Sequence, residues 1–554
     1  MLLLLTACAQ DPCLGLDMNQ DGVCDNLAAD WSQDAWVEPG TDRANIYALS
    51  PEDLETARWA GLEHVMVWPV SVSSLRMPYR PLVELLDNPD NATIQGLTRQ
   101  VAGFGTMDEL YEQLGLPPIP EDGVPLPNGL QPGDPMGAAV VDTELGEALV
   151  FSCAACHATE LFGQTVVGIG NKTARPNAFF TLASEVLPTV PADVFQDLSG
   201  ATDDEVQLYQ EMVTAIGSVG TKDPVVLGLD TSLAQVHLSL QKRGQDPYAS
   251  FDTSAQYNPR DSILDDLVAD SKPTPWWTLR YKTTWLADGS IVQGNPILTN
   301  FLWNELGRGT DLERLETWLV DNERVVDELT VAVFATPSPR WEDWFGADSI
   351  DLEQAKTGQA LFEQHCSACH GSYEKGWDLD SSGTPAEQIQ TTGLLYHGAT
   401  PRFDVGTDPG RAQGMTALED LNDLAISQAM ETIVQGGEGY VPPPLDGIWA
   451  RYPYLHNNAA PTLCALLSPV EQRPSFFVQG PAQDPETDFD ADCVGYPTGD
   501  AIPEHWLEVE DAGFDVSQAG LSNQGHTSML YGPDGELVFT DEDRLALIEF
   551  LKTL

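Results

Sequence analysis

Apolar positions recur at helical spacing in several stretches, separated by segments rich in Pro and Gly. Between Asp351 and Gln364, Ala355, Gly358, Leu361 and Phe362 share one face, which predicts an amphipathic helix. Thr540 with Asp543 makes a capping-box-like start to a last helix through Arg544-Leu-Ala-Leu-Ile-Glu-Phe-Leu-Lys. Helical periodicity also covers Asp203 to Ile216 and Ser262 to Asp270, and Glu144 to Phe151 reads as a short helix. Residues 31–140 mix short apolar runs with Leu116-Pro-Pro-Ile-Pro and Pro125-Leu-Pro-Asn-Gly, which predicts an irregular wrap. Trp341 to Ile350 closes the first half. No run reaches 18 apolar residues, so no transmembrane helix is expected.

Two of these stretches end in the same chemistry. Cys153-Ala-Ala-Cys156-His157 and Cys366-Ser-Ala-Cys369-His370 both read C-x-x-C-H, the attachment signature of c-type haem. On one helical turn the two thiols face the same way and reach the two vinyl groups. The adjoining His then coordinates iron from one face. Zinc would want its two C-x-x-C pairs far closer than the about 210 residues that separate these, and a redox C-x-x-C has no need of a following His. Two covalent haems c are therefore expected, with His157 and His370 as iron ligands.

Of the 9 Cys, the haem thiols and Cys8 leave Cys13, Cys24, Cys464 and Cys493. An even remainder fits local disulfides 13–24 and 464–493, and such bridges belong to an oxidising compartment. Lys and Arg number 26 against 85 Asp and Glu, a formal charge of −59. No basic stripe is available for phosphates, so nucleic acid is excluded as a partner. The acid is spread along the chain as a solvating surface, and it would steer a basic redox protein.

The start, Leu5-Thr6-Ala7-Cys8, resembles a bacterial lipobox, which makes a lipid on Cys8 the expected membrane contact. A periplasmic or cell-surface location follows. Asp17, Asn19, Asp21 and Asp25, with Gly22, match the first half of a calcium loop, but Ala28 stands where the bidentate Glu belongs. Two readings stand for this segment: a short calcium repeat, or an Asx-rich turn pinned by a disulfide.

From residue 271 onwards the sequence resembles the bacterial dihaem cytochrome c peroxidase superfamily, most of all its rubber oxygenase-like branch. Thr274-Pro-Trp-Trp through Asp288-Gly289 is similar to the T-P-x-L…F-W-D-G stretch. Gly406-Thr-Asp-Pro-Gly-Arg411 resembles G-T-D-P-x-R, and Pro444-Leu-Asp-Gly-Ile-Trp-Ala-Arg-Tyr-Pro-Tyr-Leu-His456-Asn resembles P-L-x-G-I-W-A-x-x-P-Y-L-H-N. Asn523-Gln-Gly-His526 is similar to the N-x-G-H before the last helix. Asn458 replaces the Gly after His-Asn, and Val441-Pro-Pro-Pro444 replaces basic residues.

The resemblance implies a fold that is mainly α, with two cytochrome c-like haem domains, long irregular loops and an N-terminal extension. The expected divisions are 1–8 signal remnant, 9–30 polar tether, 31–345 N-terminal haem domain and 346–554 C-terminal cytochrome c domain. It implies His526 as second ligand of the His370 haem, with His456, Met415 and Met529 as alternatives. It also places Trp285 between the haems, Phe301 at the distal face of the His157 haem and His456 in a pocket. His365 is expected on a helix surface, and His237 and His397 carry no expectation. No sixth ligand is evident for the His157 haem. Ile291 to Phe301 has no carboxylate to serve peroxide cleavage, and the first to follow is Glu305. The expected function is a secreted dihaem oxidoreductase. Its N-terminal haem would be open to O2 or peroxide and would act on a small or apolar organic substrate. Its C-terminal haem would relay electrons. A peroxidase using another acid and a non-enzymatic carrier are the alternatives.

Overall fold

The computed structural model describes residues 42–554. Cys8, the 13–24 pair and Asp17, Asn19, Asp21 and Asp25 lie outside the described residues.

The segment expected to be an irregular wrap instead holds helices Pro51–Met66, Tyr79–Asp87, Ala92–Ala102 and Met107–Gln113. The Pro residues mislead because they sit where helices tolerate them. Pro51 opens the first helix, and the Ser50 side chain accepts from the Asp53 amide. That helix packs on Glu323–Ala335, most of whose residues are buried. The close approach needs Gly61, because a Cβ there would lie 2.0 Å from the Glu328 carbonyl oxygen.

A second departure precedes the first C-x-x-C-H. Gly146–Phe151 is a strand, not a helix, and pairs antiparallel with Ala138–Thr143. Met77–Pro78 pairs along its other edge. The partner strand supplies hydrogen bonds that a short helix would lack, and Gly146 takes the positive φ that the reversal requires. Asp203–Ile216 is the expected helix, opened by a capping box at Thr202 and Glu205. Ser262 to Asp270 forms only the 3-10 turn Ile263–Asp265. Its carbonyls are drawn away, since the Lys222 ammonium takes those of Leu264, Asp265 and Leu267.

The C-terminal half begins with helix Leu352–His365, capped by Asp351, and ends with Asp541–Lys552, opened by the Thr540–Asp543 capping box. These two helices pack against each other as expected. Ala355, Gly358 and Phe362 are buried between them, and a Cβ on Gly358 would lie 1.9 Å from the Ala546 carbonyl oxygen. Cys464 and Cys493 form a disulfide with Cα atoms 5.0 Å apart.

Helices predominate, but the described residues also carry five small antiparallel sheets, so the class is mixed rather than mainly α. The halves interlock. The hairpin Ala158–Leu161 and Gln164–Val167 follows the first motif directly, and the Phe162 amide at its tip donates to the Ala482 carbonyl. Phe162 packs 5.4 Å from Phe489, in a cluster with Trp341, Phe345 and Trp449. One buried core thus joins Leu161, Ile169 and Val226 to residues of the C-terminal half.

Candidate haem sites

Each C-x-x-C-H turn lines its own cavity. Cys153, Cys156 and His157 line one of about 300 Å³. Cys366, Cys369 and His370 line another of about 240 Å³. Both motifs fold as a single helical turn, Ala154–His157 and Ser367–His370. All four thiols are unpaired. No three His, Cys, Asp or Glu side chains gather as a bare-metal site among the described residues. The donor sets and the mostly apolar walls fit covalent haem, not zinc.

The His370 ring is anchored through Nδ1, which leaves Nε2 as the nitrogen that could bind a metal. Its Nδ1–H donates to the Pro443 carbonyl at 2.8 Å, which fixes ring and tautomer. Pro443 belongs to the Pro-Pro-Pro run that breaks the family pattern, so the departure supplies the buttress of a ligand His. His526 lies across from His370, with ring centres 6.2 Å apart and planes inclined by 21°. Two imidazoles binding one metal from opposite sides at about 2 Å each would hold their ring centres about 6 Å apart. Burial pushes His370 down to about 4 and His526 to about 3, so both rings are neutral donors.

The loop carrying His526 is strapped from several sides. Its amide donates to the Val405 carbonyl. Asn457 donates to the carbonyls of Gly520 and Ser522. Arg473 donates to those of Asn523 and Gly525, and also to those of Ser468 and Leu466. Arg473 therefore ties the His526 loop to the segment that follows the disulfide.

The other candidates separate. Met529 lines the second cavity, whereas Met415 is buried in the core of the first half. His456 lines the second cavity, stacked 4.2 Å from Tyr440, and not the first, where Trp285 and Phe301 lie. His365, expected on a helix surface, is half-buried: it lines the second cavity with its ring 5.0 Å from that of Phe539, since it ends the helix that runs into Cys366. His397 bonds the Cys369 carbonyl, and His237 bonds Ser262 and Asp420.

The first cavity is built differently. Among the described residues, His157 is its only His, and no Met lines it. Burial pushes His157 down to about 4; its Nδ1 has no hydrogen-bond partner, and its ring lies 5.2 Å from Trp276. Helix Pro296–Gly307 presents Ile297, Asn300, Phe301 and Asn304 to the cavity, the i, i+3, i+4, i+7 face of one helix. Trp285 lines the cavity too, with its indole N–H bonded to the Gly294 carbonyl. Glu305 points away and is bonded by Trp68 and Thr310. Among the described residues, the one carboxylate in the lining is Asp230.

Lys272, Pro273, Thr274 and Ala287 line both cavities, so a single wall separates them. Trp276, Pro443, Arg473 and this wall escape sequence reasoning. Each acts through a partner distant in the chain, although Trp276, Pro443 and, in the wall, Thr274 and Ala287 fall in stretches whose sequence resembles the family.

Residues 353–417 match the model of the cbb3-type cytochrome c oxidase subunit III, and residues 439–478 match that of RoxA-like, cytochrome c-like proteins. The chain is 30% identical over 266 residues to the uncharacterized protein y4iJ of Sinorhizobium fredii, covering 39% of this chain and 41% of that protein. It is 30% identical over 225 residues to y4iM of the same organism, covering 37% and 49%. The chain thus spans less than half the length of these curated relatives. The first match takes in the second C-x-x-C-H, and a cytochrome c domain implies covalently bound haem c and redox or electron-transfer chemistry.

Proposed function

We propose that this chain, related to the RoxA-like cytochromes c, is a dihaem c-type oxidoreductase in which the two sites have different work. One observation carries the reading: each motif lines a separate cavity, but only the second brings another imidazole opposite the first. Bound haem would supply one-electron and oxygen chemistry. Cys153 and Cys156 would hold it in the first cavity beside His157, and Cys366 and Cys369 in the second beside His370 and His526.

With His370 and His526 both available to hold the iron, the second site would serve electron transfer. Phe301, Ile297 and Trp285 give the first cavity an apolar wall that would accommodate a small gas molecule and an apolar organic substrate. Asn300 and Asn304 on the same helix face are neutral donors, not proton-transfer groups near neutral pH. On this helix face that favours oxygen chemistry over peroxide cleavage, since loss of a general acid–base typically costs about 10²–10⁴ in rate; a peroxidase would have to use Asp230, the carboxylate in the cavity lining. A small basic redox protein would exchange electrons with the acidic surface. A periplasmic or cell-surface location with a lipid on Cys8, and calcium at Asp17 to Asp25, complete the proposal.

The test is the spectrum of the reduced, haem-loaded protein with and without CO. One haem should bind CO and one should not. Failure of both to bind would favour a pure carrier, and fast cytochrome-driven peroxide reduction would favour a peroxidase.

A further inference from the structure

The wall between the two cavities is cationic. Lys272 lines both, and its ammonium donates to the carbonyls of Arg451 (2.9 Å) and Pro453. Arg451 is 8% exposed and lines the second cavity. A third small cavity of about 20 Å³ lies behind, lined by Lys172, Lys272, Arg451, Tyr452 and Asn458 among others. Lys172 is 9% exposed, and its Nζ has no hydrogen-bond partner; it sits 3.0 Å above the centre of the Tyr452 ring.

Among the described residues, no carboxylate lines the second or the small cavity. The acid that acts on Arg451 is Asp446, which also serves Arg280 and Lys375. In a chain with only 26 basic residues against 85 acidic ones, three cations have thus been buried together with one shared acid, Asp446 at Arg451, and none acting on Lys172 or Lys272 among the described residues. An unpaired buried charge is among the costliest features a fold can carry. Burial, together with mutual repulsion, holds Lys172 and Lys272 well below the usual lysine range. The arrangement makes sense if carboxylates arrive from outside the polypeptide.

We propose that Lys272, backed by Arg451 and Lys172, is a shared anion site that takes the propionate carboxylates of both haems and couples their reduction potentials. The proposal rests on the two-haem reading above. A propionate from either cavity reaches the same wall, and Lys272 has a third N–H beyond the two given to carbonyls. Positive charge beside a haem favours its reduced form, which carries one positive charge fewer. A cation common to two haems therefore raises both potentials together.

The experiment is a spectroelectrochemical titration of the haem-loaded full chain, with resonance Raman spectra of the propionate modes. Lys272→Met should lower both midpoint potentials and shift the propionate bands of both haems, while Lys272→Arg should leave them near the parent. Lys172→Met should move both potentials in the same direction. Two haems per chain with potentials unmoved in the Met variants, or a shift confined to one haem, would overturn this proposal alone. So would potentials that track chloride at constant ionic strength, because the cluster would then hold a free anion. A single haem by mass in the parent would overturn the two-haem reading and the proposal with it. Should Lys272→Met fail to load haem, Lys172→Met decides, since Lys172 lines neither large cavity.

Discussion

His370 and His526 stand face to face across the second cavity, 6.2 Å between ring centres, although 156 residues separate them in the chain (526 − 370). His526→Ala should convert this haem from low-spin to a form that binds CO on reduction, leaving the first haem unchanged. The visible and EPR spectra report the change directly, and an unaltered low-spin signal would reassign the ligand to Met529 or His456.

The disulfide pins the segment that lines the second cavity. Cys464 and Cys493 are 29 residues apart in sequence, and closing a loop of that length stabilises by about 3–4 kcal/mol in the chain-entropy account. The Cys464→Ser, Cys493→Ser double variant should lose about that much in urea unfolding. A midpoint equal to the parent's would show that the bridge does not constrain the unfolded chain.

Gly358 and Gly96 are both helical glycines with opposite surroundings. A Cβ at Gly358 meets the Ala546 carbonyl at 1.9 Å, whereas one at Gly96 meets nothing within 4 Å. Ala is a better helix former than Gly by about 1 kcal/mol, so Gly96→Ala should stabilise by up to that amount. Gly358→Ala should instead destabilise by about 1–3 kcal/mol through overpacking of the two helices. Thermal unfolding of the pair distinguishes propensity from packing by sign alone.

Asp327 is buried on the helix packed against Pro51–Met66. Burial raises it to about 7 against the Tyr47 hydrogen bond, with Glu323 and Glu328 adding to the rise. The unfolded carboxyl ionises near 4, so between about pH 4 and 7 the folded state binds more protons and stability falls as pH rises. The loss is complete above 7. Asp327→Asn should therefore stabilise at pH 8, by up to about 4 kcal/mol, and change little at pH 4. Equal gains at both values would trace the effect to packing rather than charge.

The features legible in the sequence are those written in short windows. The C-x-x-C-H turns, the Thr540–Asp543 cap and the face of Ala355, Gly358 and Phe362 need only a helical turn or two to be read. Glu144 to Phe151 misleads because its apolar spacing suits a helix; the partner Ala138–Thr143 and the turn at Gly146 decide otherwise. Ser262 to Asp270 fails for a similar reason, its carbonyls being claimed by Lys222 from 42 to 45 residues away. His526 was reached by resemblance and not by any pattern. Pro443 beneath His370, Arg473 behind His526 and the Lys272 wall depend on contacts that no local window contains.

The hairpin at Phe162 bears on how the protein is made. Its strands follow Cys153–His157 within a few residues, yet the carbonyl and the aromatic rings that seat its tip belong to Ala482 and Phe489. Synthesis from the N-terminus delivers that socket some 320 residues later (482 − 162). Throughout this interval the hairpin tip lacks its socket, while the Cys-Ala-Ala-Cys-His turn beside it is held from within the first half by Asn171 and Gly168. The seat of this hairpin is therefore among the last contacts that the growing chain can complete, and it joins the two halves only once both exist.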